Sequence, residues 1–380
     1  MRKYRIDCIV GARPNFMKIA PILRALAACH CQTRLIHTGQ HYDAAMNDVF
    51  FDELGIPLPD INLDVGPGSG TDQTARIMQR LERVFLTGKP HAVVVVGDIN
   101  STMAAALVAA KMQVAIVHIE AGLRSFDRAM PEEINRLVTD RLSDLLLATE
   151  QSAIANLLHE GVAPDRIKMV GNVMIDTMHH NLHRAVPADE TLKSGPDGIS
   201  PDRFGLVTLH RPSNVDDPRQ LERLLTALID ISFDLDLVFP MHPRTKAMIG
   251  AMGILERLNH DRILVTPPLG YLRMLGLMRQ SRVVITDSGG IQEETTALGI
   301  PCLTVRDTTE RPVTIAEGTN TLVGSDPAKL ADAVRHTLAT GGKRGRTPPL
   351  WDGHAANRIV SEIKSFLERA STAAPVNAAA

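Results

Sequence analysis

The chain has 380 residues, 44% of them hydrophobic and 22% charged, with a formal net charge of -2. That length and apolar content suit two globular domains, each large enough for its own core, and leave disorder to the ends. The near-neutral balance excludes a basic field for nucleic acid or an anionic membrane, so any phosphate binding has to be local.

The first segment, "MRKYRIDCIVGARP", starts basic, but its apolar stretch is short and interrupted by Asp7. Neither a signal peptide nor a spanning helix is expected, and cytoplasmic residence follows as the default. Short Val/Ile/Leu runs then alternate with longer amphipathic or Ala/Leu-rich segments, the pattern of strands and helices in a parallel sheet. The first series is "IDCIV", "RLIHT", "AVVVVGD", "VAIVHIE", "DLLLAT" and "IKMVGN"; the second is "FGLVTLH", "LDLVFPMH", "RILVTPP", "RVVITDS" and "PCLTVRD". Residues 185–203, rich in Pro, Gly and charge, read as a linker region, which divides the chain into doubly wound α/β domains at 1–184 and 185–354. Ile359, Ile363, Phe366 and Leu367 have helical spacing, so a closing helix is expected at about 355–370; the tail 371–380 lacks the apolar bulk to pack. Cys8, Cys29, Cys31 and Cys302 show neither a CxxC pair nor metal-ligand spacing and read as buried or incidental thiols.

Ligands of open parallel sheets bind outside the carboxyl ends of the strands. The residues at those ends are Arg13, Gln40, His41, Asp98, Glu120, His210, His242, Ser288 and Arg306. "GARPNFMKIAP" after the first strand, with Arg13 and Lys18, is either a diphosphate site at a helix start or a solvated Arg and Lys; it is not GxGxxG, so a nicotinamide cofactor is not indicated. Asp98 and Glu120 each follow an apolar strand, where a carboxylate is costly to desolvate unless partnered or used. Glu132 and Glu133 follow Pro131, and Glu133 reads as a plain helix start. Asp98, Glu120 and Glu132 together suit general acid and base chemistry, and no metal motif accompanies them. His210 ends a strand beside a helix start. In "TDSGGIQEETTALG", Ser288, Gly289 and Gly290 read as a phosphate cradle, with Glu294 one turn into the helix as an acceptor for ribose hydroxyls; the alternative is a tight turn with an acidic helix start.

The blocks "GARPNFMKIAP", "TGQHYD", "GDINST", "HIEAGLRS", "PEEINR", "GNVMIDT", "TLHRPSN", "TDSGGIQEE" and "RDTTERP", in this order, resemble the non-hydrolysing UDP-N-acetylglucosamine 2-epimerases from about residue 5 to about 325. The resemblance implies a glycosyltransferase type B fold: two Rossmann-like domains facing a central cleft, with the last helix returning to the first. It also implies a homodimer that interconverts UDP-N-acetylglucosamine and UDP-N-acetylmannosamine for surface polysaccharides, through loss of UDP and a glycal, with no cofactor and no metal. Asp98, Glu120 and Glu132 match the family's catalytic carboxylates and His210 its histidine near the diphosphate. Arg13, Lys18, Ser288, Gly289, Gly290, Glu294 and Arg311 match its substrate contacts, and Leu269 and Met274 fall where it holds uracil, with different side chains here. "QHYD" at 40–43 and "GPGSGTDQT" at 66–74 lack the basic side chains that in many members help to hold a second, activating UDP-N-acetylglucosamine. "TGQHYD" and "SFDRAMPEEINR" also resemble members acting on UDP-2,3-diacetamido-glucuronic acid. A hydrolysing epimerase, a retaining UDP-sugar glycosyltransferase and a catalytically silent UDP-sugar sensor are the rival readings.

Overall fold

A computed structural model describes residues 4–29, 31–40, 51–193, 199–258 and 261–373, and of Arg13 and Ala373 the backbone alone. His41 therefore lies outside the described residues. By its contacts the chain divides into two compact units, Met1–Thr177 with Pro349–Ala380, and Met178–Pro348.

Each unit is built on a parallel sheet. The first contains β1 (Tyr4–Val10), β2 (Cys31–His37), β3 (Ile61–Asn62), β4 (Ala92–Val96), β5 (Ala115–Ala121), β6 (Leu145–Ala148) and β7 (Ile167–Met169), in the order β3-β2-β1-β4-β5-β6-β7. The second contains β8 (Phe204–Thr208), β9 (Asp236–Pro240), β10 (Ile263–Thr266), β11 (Val283–Thr286), β12 (Cys302–Thr304) and β13 (Asn320–Leu322), in the order β10-β9-β8-β11-β12-β13. The fold class is thus α/β with two doubly wound sheets. Winding reverses between β1 and β4 in one sheet and between β8 and β11 in the other, the switch points outside which open α/β sheets bind ligands. The eleven apolar runs fall on eleven strands; β3 and β13 escape because segments of two or three residues at a sheet edge carry no readable period.

The strands are legible because both sheet faces are covered. All five residues of β4, Ala-Val-Val-Val-Val, are buried, and an uninterrupted β-branched run is what a two-sided core selects. On one face lies the helix Gly70–Gly88, capped by Ser69 accepting from the Asp72 amide and burying Ile77, Leu81 and Phe85 at helical spacing. The neighbouring helix Asn100–Lys111 buries Ala104, Ala105, Ala106 and Ala109, small side chains that let it lie close to its neighbours. In the second unit the helix Pro218–Ser232 buries Leu221, Leu224, Leu225, Leu228 and Ile231 against β8, β9 and β11.

Two local features shape the first unit. Pro21 inside the helix Arg13–Ala27 cannot donate to the Met17 carbonyl four residues back, and the Thr177 hydroxyl donates to that carbonyl instead, at 2.5 Å. The chain end returns to this unit: Trp351 is buried with its Nε1 donating to Thr149 O, and the helix Ala355–Ala373 lies against the helix Arg13–Ala27. Asp176, from the "GNVMIDT" block, caps that helix by accepting from the amides of Ala355 and Ala356 at 3.0 and 2.7 Å. Residues 374–380 lie outside the described residues.

Part of the stretch that reads as a linker is packed. The helix Ala188–Leu192 buries both its ends and lies against the helix Tyr271–Gln280; a Cβ at Gly276 would meet Val186 O at 1.7 Å. Residues 194–198 of that stretch are outside the described residues. Cys8, Cys31 and Cys302 are buried and in no disulfide among the described residues. No helix among the described residues is long and apolar enough to cross a membrane.

Candidate active site

The switch point of the first sheet holds a cluster of paired charges. Lys18, in the first turns of the helix after β1, is buried and paired with the buried Glu120 at the end of β5. Glu120 has φ +73°, a left-handed backbone that costs a non-glycine residue about 1–2 kcal/mol. The cause is a bulge: Ile119 and Ala121 face successive residues of β6, Leu147 and Ala148, so Glu120 is the extra residue. Gly97, at φ +69°, is bare for a reason, because a Cβ there would lie 3.1 Å from both Glu120 Oε2 and Lys18 Nζ.

Asp98 follows Gly97 at the end of β4. Its Oδ2 accepts from Arg136 Nε at 3.0 Å and Nη2 at 2.6 Å, and its carbonyl accepts from Asn135 Nδ2 at 2.9 Å. Arg136 in turn reaches Glu133 Oε2 at 2.7 Å. Glu133 is no plain helix start: it is buried and accepts from the Ser125 amide and hydroxyl and the Phe126 amide, each at 3.0 Å. Burial pushes its carboxyl up, but these hydrogen bonds and Arg136 outweigh it and hold the group below the usual range. The helix Pro131–Leu142 therefore buries Glu133, Asn135, Arg136, Thr139 and Asp140, a polar face turned to the strand ends where a core face would be apolar. Glu132, half-buried in its first turn, has no side-chain partner among the described residues.

The switch point of the second sheet is organised by Asp287, fully buried after β11. It accepts from the amides of His210 and Arg211 at 2.9 Å, from Asn214 Nδ2 at 3.1 Å and from His210 Nδ1 at 2.9 Å. Burial raises its carboxyl, and the hydrogen bonds from His210 and its neighbours overcome that and keep it low. His210 is thereby left with Nε2 as its available nitrogen. Ser288 stands at the N-cap of the helix Gly289–Leu298 without using its side chain as a cap, so hydroxyl and first-turn amides are presented together. Glu310 lies beside Gly289 and is shared by Arg306, at 2.7 Å, and Arg211, at 3.6 Å. One turn on, Glu294 Oε1 accepts from the buried Tyr271 hydroxyl at 2.7 Å; burial pushes the Glu294 carboxyl up to about 7. Leu269, Met274 and Ile291 are half-buried against one apolar cluster beneath. Arg311 is buried and paired with Glu293 at 2.6 Å.

The structure thus joins Lys18 to Glu120, and His210 to the strand end that precedes Ser288. It places Asp98 under Arg136, on the helix that carries Glu132. Sequence reading passed over Arg136, Asp287 and Tyr271. The first two sit inside quoted blocks, and an Asp directly after an apolar strand was the same signal that singled out Asp98. Among the described residues no group of three or more His, Cys, Asp or Glu is arranged to hold a metal ion.

The chain matches the family model described as UDP-N-acetylglucosamine 2-epimerase over residues 24–364. A UDP-N-acetylglucosamine 2-epimerase of Methanococcus maripaludis is 40% identical over 363 residues, 95% of this chain and 98% of that protein. A UDP-2,3-diacetamido-2,3-dideoxy-D-glucuronate 2-epimerase of Pseudomonas aeruginosa is 43% identical over 340 residues, 88% of this chain and 92% of that protein. Among solved structures, the UDP-GlcNAc 2-epimerase of Methanocaldococcus jannaschii in complex with UDP-GlcNAc and UDP superimposes with a TM-score of 0.88 at 39% identity, covering 95% of this chain and 99% of that one.

Proposed function

The chain belongs to the UDP-N-acetylglucosamine 2-epimerase family, and from that membership we propose a division of labour in which the first unit moves protons and the second holds UDP. It acts as an isomerase on the UDP-sugar, inverting C2 of UDP-N-acetylglucosamine. A C2 proton with no adjacent carbonyl is hardly acidic, so its removal has to accompany loss of the diphosphate. The C2–H bond breaks as C1=C2 forms, and the C1–O bond breaks with its electrons leaving on UDP. Return of a proton to the other face of C2 and of the UDP oxygen to C1 completes the inversion, with no net oxidation.

Asp98 and Glu120 are the groups we assign to those proton transfers, with Glu132 as the third acid. The observation that carries the assignment is Glu120, held in a left-handed bulge at a cost that only a surrounding built for it would retain. In the second unit Ser288, Gly289 and Gly290 suit the diphosphate, and His210, oriented by Asp287, offers Nε2 to an oxygen of the leaving phosphate. Glu294 suits the ribose, and Leu269 and Met274 offer apolar contact to the base. Lys18 supports Glu120 and serves the leaving group through that carboxylate's placement. Arg13 belongs with the diphosphate contacts by family resemblance, and Arg311 orders the loop before the helix Pro312–Ala316 through Glu293. Cytoplasmic residence and a homodimer are part of the same proposal.

Incubation with UDP-N-acetylglucosamine in deuterated water tests the reaction: deuterium at C2 with UDP still attached is expected, and free N-acetylmannosamine would mean hydrolysis. The similarity to the Pseudomonas aeruginosa enzyme favours a second reading in which UDP-2,3-diacetamido-glucuronate is the better substrate, and kcat/KM for the two nucleotide sugars decides between them. Asp98→Asn and Glu120→Gln should each lower turnover by about 100-fold or more while UDP binding persists, as lost acid/base catalysis does. Near wild-type epimerisation by either variant removes that acid from the scheme.

A further inference from the structure

We propose that His118 and Asp140 are positioning residues that set the two carboxylates, Glu120 and Asp98, in register with each other. The proposal rests on the reading that those two acids carry the proton transfers. His118 is wholly buried, two residues before Glu120 on β5. Its Nδ1 meets Asp140 Oδ1 at 2.6 Å and its Nε2 meets Gly97 O at 2.9 Å. Asp140 Oδ2 accepts from the Gly122 amide at 3.0 Å and pairs with Arg124 Nη1 at 2.7 Å. Arg124 is held at its other edge by Glu160, at 2.8 and 2.7 Å.

One carboxylate therefore grips the residues two before and two after Glu120, spanning the bulge that gives Glu120 its left-handed backbone. The far nitrogen of the same imidazole holds the carbonyl of Gly97, the residue before Asp98. Both ring nitrogens face acceptors, so the imidazole is held at both ends. Gly122 itself is at φ +84° and a Cβ there would meet Ala153 O at 2.4 Å, so the backbone after the bulge has no slack to take up. Asp140 also lies on the helix whose Arg136 and Asn135 hold Asp98. The acids thus share a single buried frame, and a shift of about 1 Å in one of them is enough to cost turnover.

Asp140→Ala removes the grip. Asp140→Asn can keep it, with the amide oxygen accepting from Gly122 and the amide nitrogen donating to His118 Nδ1 in the tautomer that carries its hydrogen on Nε2. The expected result is kcat lowered about 30-fold or more in Asp140→Ala, with KM and UDP affinity within threefold of wild type, and most of that loss rescued in Asp140→Asn. His118→Gln, which still reaches Gly97 O but not Asp140, should lower kcat in the same way and carries the test alone if Asp140→Ala does not fold. Ile116→Val, a core change on the same strand, is the control for lost stability and should leave kcat in place. Wild-type kcat in Asp140→Ala or His118→Gln overturns the proposal, and so does an Asp140→Asn as impaired as Asp140→Ala, which would mean a role for the charge. Asp98→Asn and Glu120→Gln are measured beside them: full activity there overturns the acid assignment and this proposal with it, whereas their loss beside intact His118 and Asp140 variants sinks the positioning role only.

Discussion

Glu294, the residue proposed above for the ribose, carries a desolvation cost. Burial raises its carboxyl from 4.5 to about 7, so the folded state binds the proton more tightly than the unfolded state does. Stability contributed by that proton is present below pH 4.5 and lost as pH rises through 7. Glu294→Gln should therefore gain stability relative to wild type between pH 5 and pH 8, by at most about 3 kcal/mol, measured by denaturant melts at the two pH values. Ribose hydroxyls donating to this group would favour its ionised form, so UDP binding near pH 6.5 should release a proton. Calorimetry in two buffers of different ionisation enthalpy reads that release, and an identical heat in both would remove Glu294 from the ribose site. His210, Asp287 and Ser288 are all legible as strand-end residues, but the pairing by which Asp287 orders that end is not. Its partner His210 lies 77 residues away in sequence, a separation that leaves no spacing to read.

At the scale of elements, polar groups decide where helices end and bend. Asp176 caps the helix Ala355–Ala373 across a gap of about 180 residues in sequence. Asp176→Ala should cost about 1–2 kcal/mol in a thermal melt and leave epimerisation rates unchanged; a large fall in kcat would place the "GNVMIDT" block in the chemistry instead. The helix Pro131–Leu142 shows why amphipathic reading misses function. Its buried stripe is charged and amide-bearing, so it reads as solvent-facing until the strand ends it serves are in place. Thr177 and Pro21 make the complementary point: a proline that would read as a breaker is accommodated because a distant hydroxyl takes the orphaned carbonyl.

At the scale of the molecule, the last segment completes the first unit. Trp351, Ile359, Ile363 and Leu367 are buried there, each the equivalent of about 2–5 kcal/mol if truncated, against about 5–15 kcal/mol for a whole domain. Ending the chain after Pro348 should therefore abolish the melting transition of the first unit while the second still unfolds cooperatively; two intact transitions in calorimetry would refute this. By itself the sequence determined the α/β class, eleven of the thirteen strands among the described residues and the polar residues that end them, because a strand covered on both faces must be apolar and its carboxyl end is where the run stops. Only the tertiary structure decided which of those residues work together. The bulge at Glu120 comes from a mismatch with a neighbouring strand, and Asp140, Arg136 and Asp287 acquire their tasks from groups that lie far off along the chain. Hydrogen bonds act through space, and sequence order carries no record of distances that only packing creates.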